Sequence, residues 1–440
     1  MSSTQQPQLK KVLSPLMLWG LGVGYVISGM YFGWNLGLPE GGTYGLAIAT
    51  GVIIIMYTCF SFSYAELACS IPKAGGVFDY ASRAFGPRMG FIAGMAQLIE
   101  FVFAPPAIAF GIGAYFNLFF PNVPVMTISI VAYLLFTGLN MYGVKAAATF
   151  ELIITIIAVI EIIIFAAVTL PHFEVANLQK NAWPSGWTGV IACLPFAIWF
   201  FLGIEGLANV AEEAENPQKD IQKGFGYALL TLVILCVLVF LGAIGVGGWE
   251  AVVYKNGFSG DTSDSPLPLA MGQIVGSSGW LFHLLLTVGL FGLVASFHGL
   301  ILAAGRSSYE LGAKGFAPRF LGQINERFQT PAKALLANMG IGIIALFTNK
   351  TAEIITISVM GALTLYSIAM LSLLRLRKKE PLMPRPFRVP LYPLMPLLAL
   401  VLSTLCLIFI AFHQPTLFFI YLGILTMCYV LFVLIVQPKT

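Results

Sequence analysis

FLGIEGLANVAEEAENPQKDI, residues 201–221, begins as apolar as lipid and ends as polar as a cytoplasmic loop. Glu205 sits in its apolar half, with Gly203 and Gly206 on either side. An ionised acid in hydrocarbon is costly, and glycine weakens a helix interior by about 1 kcal/mol relative to alanine. A helix break also exposes N–H and C=O groups, which membrane depth tolerates only beside a cavity or a protein-buried site. This stretch therefore reads as an interrupted spanning helix built around a site.

The rest of the chain supplies the membrane. Its 440 residues are 58% hydrophobic and 10% charged, with a mean hydropathy of +0.88. A soluble chain carries about 25% charged residues, so this composition excludes an ordinary soluble globular protein. Twelve apolar runs can each cross about 30 Å of hydrocarbon. They are 15–39, 44–69, 88–119, 125–143, 148–170, 188–212, 223–248, 277–305, 332–348, 352–375, 391–412 and 416–436. With the N-terminus inside, all of the 23 Lys and Arg except Lys180, Lys255 and Lys350 fall on the cytoplasmic side. That bias predicts both termini in the cytoplasm and the chain in the cytoplasmic membrane, with the bilayer as its partner. The net charge of +4 then belongs to loops, and no nucleic-acid partner is implied. The run after MSSTQQPQLKKVL is too long for a cleaved signal and reads as a retained first helix. The six cysteines all lie in apolar spans without paired spacing, so they read as packing residues, not disulfides or metal ligands.

Span one resembles span six in being interrupted: GLGVGYVISGMYFGWNLGLPEGG breaks near Ser28-Gly29. Glycine also serves plain packing in membrane helices. Two breaks at corresponding places in two halves, however, point to an inverted-repeat transporter. The expected architecture is all-α: a cytoplasmic tail over 1–14, a five-helix repeat over 15–170, an inverted repeat over 188–375, and two further helices over 391–436.

Four stretches carry a family resemblance: YAELACSIPKAGGVFDYASRAFGP (64–87), the opening segment, AAGRSSYELGAKGFAP (303–318) and RPFRVPLYPLMP (385–396). In this order, from Leu16 to Pro396, the chain resembles the amino acid–polyamine–organocation permeases. ISGMYFGWNLGLPEGG (27–42) and AQLIEFVFAPPAIAFGIGAY (96–115) look like the ethanolamine permease branch. The resemblance implies a LeuT-like fold with broken helices one and six, a substrate at the breaks, and transport by alternating access.

Three acids lie near mid-span: Glu100, Glu161 and Glu205. No Lys or Arg stands at their depth, so protons, a cationic substrate, a metal cation or polar partners must compensate them. The resemblance places Glu205 next to the substrate; the bland reading is a protonated acid bonded to a neighbouring helix. Pro105 and Pro106 are expected to kink span three and open a pocket beside Glu100 and Phe103. Trp199, with Phe32 and Phe200, is a candidate aromatic wall for an ammonium group.

Relatives usually break span one at Gly-Ser-Gly, whose N–H groups hold a substrate carboxylate. Here Ile27, Ser28 and Gly29 stand there, followed by Met30. Isoleucine restricts backbone approach and does not readily take positive φ. Losing that glycine and gaining Glu100 both point to an amine without an acid group. Proton-coupled relatives often carry a lysine near Glu161, which departs from that pattern but can itself load a proton. Ser296 and His298 on span eight are candidates for the same relay, with plain packing as the competing role of His298.

The resulting expectation is secondary, proton-coupled uptake of a small amine such as ethanolamine, with no cofactor. An amino acid permease or exchanger of the same family is the near alternative. A membrane sensor or channel is the distant one, since no continuous polar lining or repeated filter is evident. No phosphate loop, His-Glu-x-x-His or Cys-x-x-Cys suggests an enzyme.

Overall fold

The computed structural model describes residues 11–142, 144–257, 259–276, 279–325 and 327–436. Residues 1–10 of the expected tail over 1–14, Lys10 among them, positions 277 and 278 of span eight, and Lys439 lie outside the described residues, as does the side chain of Lys145. Among the described residues the regular structure is helical. Its main helices are α1 (Pro15–Gly24), α2 (Leu38–Ser70), α3 (Pro87–Asn117), α4 (Val125–Met141), α5 (Val144–Thr169) and α6 (Gly186–Trp199). They continue with α7 (Pro217–Gly247), α8 (Trp280–Ala313), α9 (Ala332–Leu346), α10 (Thr351–Lys379), α11 (Leu394–His413) and α12 (Pro415–Val436).

Among the described residues, 9 helical stretches are long and apolar enough to cross a membrane. The helices α1, α4 and α9 are shorter apolar helices on the expected spans one, four and nine. Runs such as IIAVIEIIIF are rich in β-branched residues that favour strands in water. In hydrocarbon each segment must satisfy its own backbone, and the helix does so. Ser14 begins α1 as an N-cap, its hydroxyl accepting from Met17 N–H at 3.4 Å, with Pro15 at the first helical position.

Two expectations about helix shape change. Residues 40–43 are not a loop between spans one and two: α2 begins at Leu38 and is kinked at Gly42, φ 61°. The kink lets Tyr44 N–H reach the Ala182 carbonyl at 3.0 Å, and a Cβ on Gly42 would meet that oxygen at 2.6 Å. In α3 the helix runs unbroken through Pro105 and Pro106, and α10 packs closely on the turn before them. A Cβ on Gly361 of α10 would stand 2.6 Å from the Ala96 carbonyl oxygen.

The packing pairs α1 with α7 and α6 with α2, α3 with α10 and α8 with α5. Of the broken spans, α1 also packs on α5 and α6 on α10, while α3 packs on α8.

Candidate functional site

Span one stops as an α-helix at Gly24 and resumes as a single turn, Ser28–Tyr31. The reason is an inserted hydroxyl. Ser296 of α8 donates to the Gly24 carbonyl at 2.7 Å and accepts from Ser28 N–H at 2.8 Å. It occupies the place of the missing helical bond between those two groups. A second discontinuity follows at Phe32, which is extended, and Gly33, φ 89°. The break therefore flanks Ser28-Gly29 on both sides.

Span six stops at Trp199 and turns at Gly203, φ 102° in the left-handed region. It continues as a 3₁₀ helix over Ile204–Glu213. Only glycine takes that conformation without strain. Gly206 serves differently: a Cβ there would meet the Tyr25 ring at 2.8 Å. The two breaks touch, since a Cβ on Gly29 would stand 2.4 Å from the Trp199 carbonyl oxygen. Trp199 Nε1 donates to the Phe32 carbonyl at 3.1 Å, and the two rings pack edge to face at 5.6 Å. Trp34 stacks on Phe200 at 5.8 Å.

Glu205 stands just after Gly203, fully buried, and its Oε2 accepts from the Tyr366 hydroxyl at 2.8 Å. The Tyr366 hydroxyl lies in turn 2.9 Å from that of Tyr57. Glu100, also fully buried, adjoins Glu205, so the two acids form one site. Ser358 of α10 anchors the Glu100 backbone carbonyl at 2.9 Å. Apart from each other, both carboxyl oxygens of Glu100 and Oε1 of Glu205 have no hydrogen-bond partner among the described residues. Nor does any Lys or Arg among the described residues pair with either acid. Two adjoining carboxylates without a counter-ion cannot both stay charged at low dielectric; the site calls for a cation or a proton.

The other predicted site residues are placed as follows. Met30 is fully buried, its carbonyl accepting from Trp34 Nε1 at 3.2 Å. Phe103 is only partly buried at the edge of the core, whereas Phe101 points inward, 3.8 Å from a Cβ placed on Gly206. Glu161 is buried elsewhere, facing Tyr31 and lining a small cavity with Tyr115 and Phe282. His298 meets Glu151, at 3.1 Å, and not Glu161. Ten residues of helix carry Glu161 about 15 Å along α5 from Glu151.

Sequence reasoning missed Tyr57 and Tyr366, whose hydroxyls carry no positional signal among 16 tyrosines. It also missed Glu151, which reads as the polar entrance of span five. Glu66 is a further omission. Buried inside the 64–87 motif, it accepts from Arg377 Nε at 2.7 Å and Nη2 at 2.6 Å and from Val389 N–H at 2.8 Å. This is a clamp holding the 385–396 segment to α2.

Comparison with known proteins agrees with this architecture. The profile of a family described as amino acid permease matches residues 13–438, and the chain belongs to that family. It is 28% identical to an uncharacterized transporter of Rhizobium meliloti over 410 residues, 90% of this chain and 86% of that one. It is 26% identical to the branched-chain amino acid permease BcaP of Bacillus subtilis over 428 residues, 91% of this chain and 88% of the relative. The low-affinity putrescine importer PlaP of Escherichia coli is 24% identical over 403 residues, 86% of this chain and 84% of its own. The protein is thus a multi-pass membrane permease with a small-molecule substrate.

Proposed function

We propose that this permease imports a small organic amine, ethanolamine foremost, by proton-coupled alternating access across the cytoplasmic membrane, with both termini in the cytoplasm. The observation that carries the reading is the pair Glu100–Glu205 at the span-six break, two adjoining buried acids whose three remaining carboxyl oxygens meet no donor among the described residues other than each other's carboxyl. An ammonium group offers three donors and one positive charge to such a site. An inside-negative potential adds about 2.3 kcal/mol per 100 mV to cation entry. The matched pairings α1–α7 with α6–α2, and α3–α10 with α8–α5, support twelve spans in inverted five-helix repeats plus two.

The span-one backbone favours an amine over an amino acid. Ser28 N–H is taken by Ser296 at 2.8 Å. Gly29 N–H and Met30 N–H donate to Val26 and Ile27 carbonyls, each at 2.9 Å. None is left to hold a carboxylate. The second reading, an amino acid permease or exchanger, is supported by relatives such as BcaP.

Uptake of radiolabelled ethanolamine into proteoliposomes, acidic outside, tests the proposal. Accumulation is expected, against the direction in which free amine would be trapped. No accumulation above empty vesicles refutes it, and strong competition by zwitterionic amino acids transfers support to the second reading.

A further inference from the structure

Away from the two-acid site, α5 and α8 hold another buried acid with a different partner. Glu151 Oε2 lies 3.1 Å from His298 Nδ1, the side chains 2% and 5% exposed. Phe136 and Phe150 pack edge to face on the imidazole at 6.4 and 5.8 Å. Asn140 of α4 fixes the His298 backbone through its carbonyl at 3.2 Å. Glu151 Oε1 and Thr155 Oγ1 have no hydrogen-bond partner among the described residues. Both converge on the end of α1: a Cβ built on Gly24 would stand 2.6 Å from Glu151 Oε1 and 2.7 Å from Thr155 Oγ1. Ser296, two residues before His298, holds the carbonyl of that same Gly24.

We propose that Glu151 and His298 together carry the coupling proton, and that their proton count sets how the broken span one seats against α5 and α8. The proposal rests on the proton-coupled reading above and names its site. A carboxylate beside an imidazolium is neutral as a pair and tolerates burial. Once the proton leaves, an uncompensated carboxylate remains, facing the Gly24 backbone in a low-dielectric interior. Hydration relieves that, and there is space for it beside the pair, which lines a small cavity with Leu13, Tyr25, Glu213 and Arg306. These include the other titratable groups facing it, Tyr25 from span one, Glu213 from the 3₁₀ segment and Arg306 from α8. Arg306 Nη2 is 2.9 Å from Glu213 Oε1, and Arg306 makes no ion pair with Glu151 among the described residues, although its Nη1 has no hydrogen-bond partner there. At the mouth, Leu13 N–H donates to the Glu213 carbonyl at 2.9 Å and Glu215 N–H to the Leu13 carbonyl at 3.0 Å. Opening the cavity therefore moves the start of span one away from the end of span six.

Two measurements test this with the full chain. In proteoliposomes carrying a one-unit pH gradient, acidic outside, a one-proton symporter concentrates ethanolamine up to about tenfold. E151Q is expected to lose that accumulation while still exchanging internal for external ethanolamine, and H298Q to do the same. If wild type accumulates and E151Q accumulates equally, the pair is not the carrier, although the proton-coupled reading stands. If wild type shows no accumulation, that reading fails and the second measurement decides whether the pair is a proton switch. L13C is introduced into a variant lacking the six native cysteines, and its maleimide labelling is followed without substrate. Dividing each rate by that of an exposed single-cysteine control removes the effect of thiol ionisation; a change in this corrected rate of about fivefold or more between pH 5.5 and 8, flattened by E151Q, supports the switch. A pH-independent rate in the parent, or one untouched by E151Q, overturns it.

Discussion

Replacing Glu205 with glutamine tests the two-acid site most directly. Glutamine keeps the volume of glutamate and can still accept from the Tyr366 hydroxyl, now 2.8 Å from Oε2. The fold should therefore hold. What changes is the charge next to Glu100 and one of three carboxyl oxygens that meet no donor among the described residues except each other's carboxyl. A hydrogen bond to a charged group contributes about 1.5–3 kcal/mol. Loss of about 2 kcal/mol weakens ammonium binding about 30-fold. E100Q should cost a similar amount, and the double variant less than the sum, because the two acids act on one ligand. Equilibrium binding of radiolabelled ethanolamine to purified protein at neutral pH reads the effect, with thermal unfolding as a control for folding. Both single variants binding within twofold of wild type would show that the acids do not face the substrate.

Three further outcomes follow from the packing. Gly29→Ala places a methyl 2.4 Å from the Trp199 carbonyl oxygen and 3.1 Å from Phe200 Cα. Backbone cannot yield as a side chain does, so a loss of about 1–3 kcal/mol is expected and should lower the unfolding temperature in detergent. Glu66→Ala strands Arg377, whose Nε and Nη2 both bond to it, and breaking such a pair costs about 3–5 kcal/mol; proteolysis within 380–393 should accelerate. In the outer loop, burial raises the Asp264 carboxyl to about 6 despite a hydrogen bond from Thr351 at 3.0 Å. A raised acid stabilises the fold fully below its unfolded value of 3.8 and loses that contribution as pH rises through about 6. Wild type should thus lose thermal stability between pH 4 and 7 relative to D264N; parallel curves would refute the assignment.

The apolar runs, the basic-residue bias and the two glycine-interrupted stretches were all legible in the linear chain. Each is a local property: hydrocarbon imposes length and internal hydrogen bonding on every span separately. Gly203 shows how far local reading reaches, since its left-handed φ follows from residue type and position. The kink expected at Pro105-Pro106 shows where it stops. Proline removes a donor, but the surfaces of α10 and its neighbours decide whether the helix bends.

Side-chain partnership is where tertiary structure takes over. An acid at mid-span announces that something must compensate it, because charge in hydrocarbon is costly whatever surrounds it. Which acid adjoins Glu205, and which one His298 meets, depends on the relative rotation and depth of helices more than a hundred residues apart. Ser296 read as a polar residue on span eight; only its placement between Gly24 and Ser28 made it the bridge across a broken helix. Composition alone determined that this chain crosses a membrane and carries buried acids. Packing decided that two of them share one site, that Glu161 stands apart beside Tyr31 and that a fourth, Glu151, sits with a histidine, because hydrogen bonds and ion pairs act over a few ångströms that sequence distance does not encode.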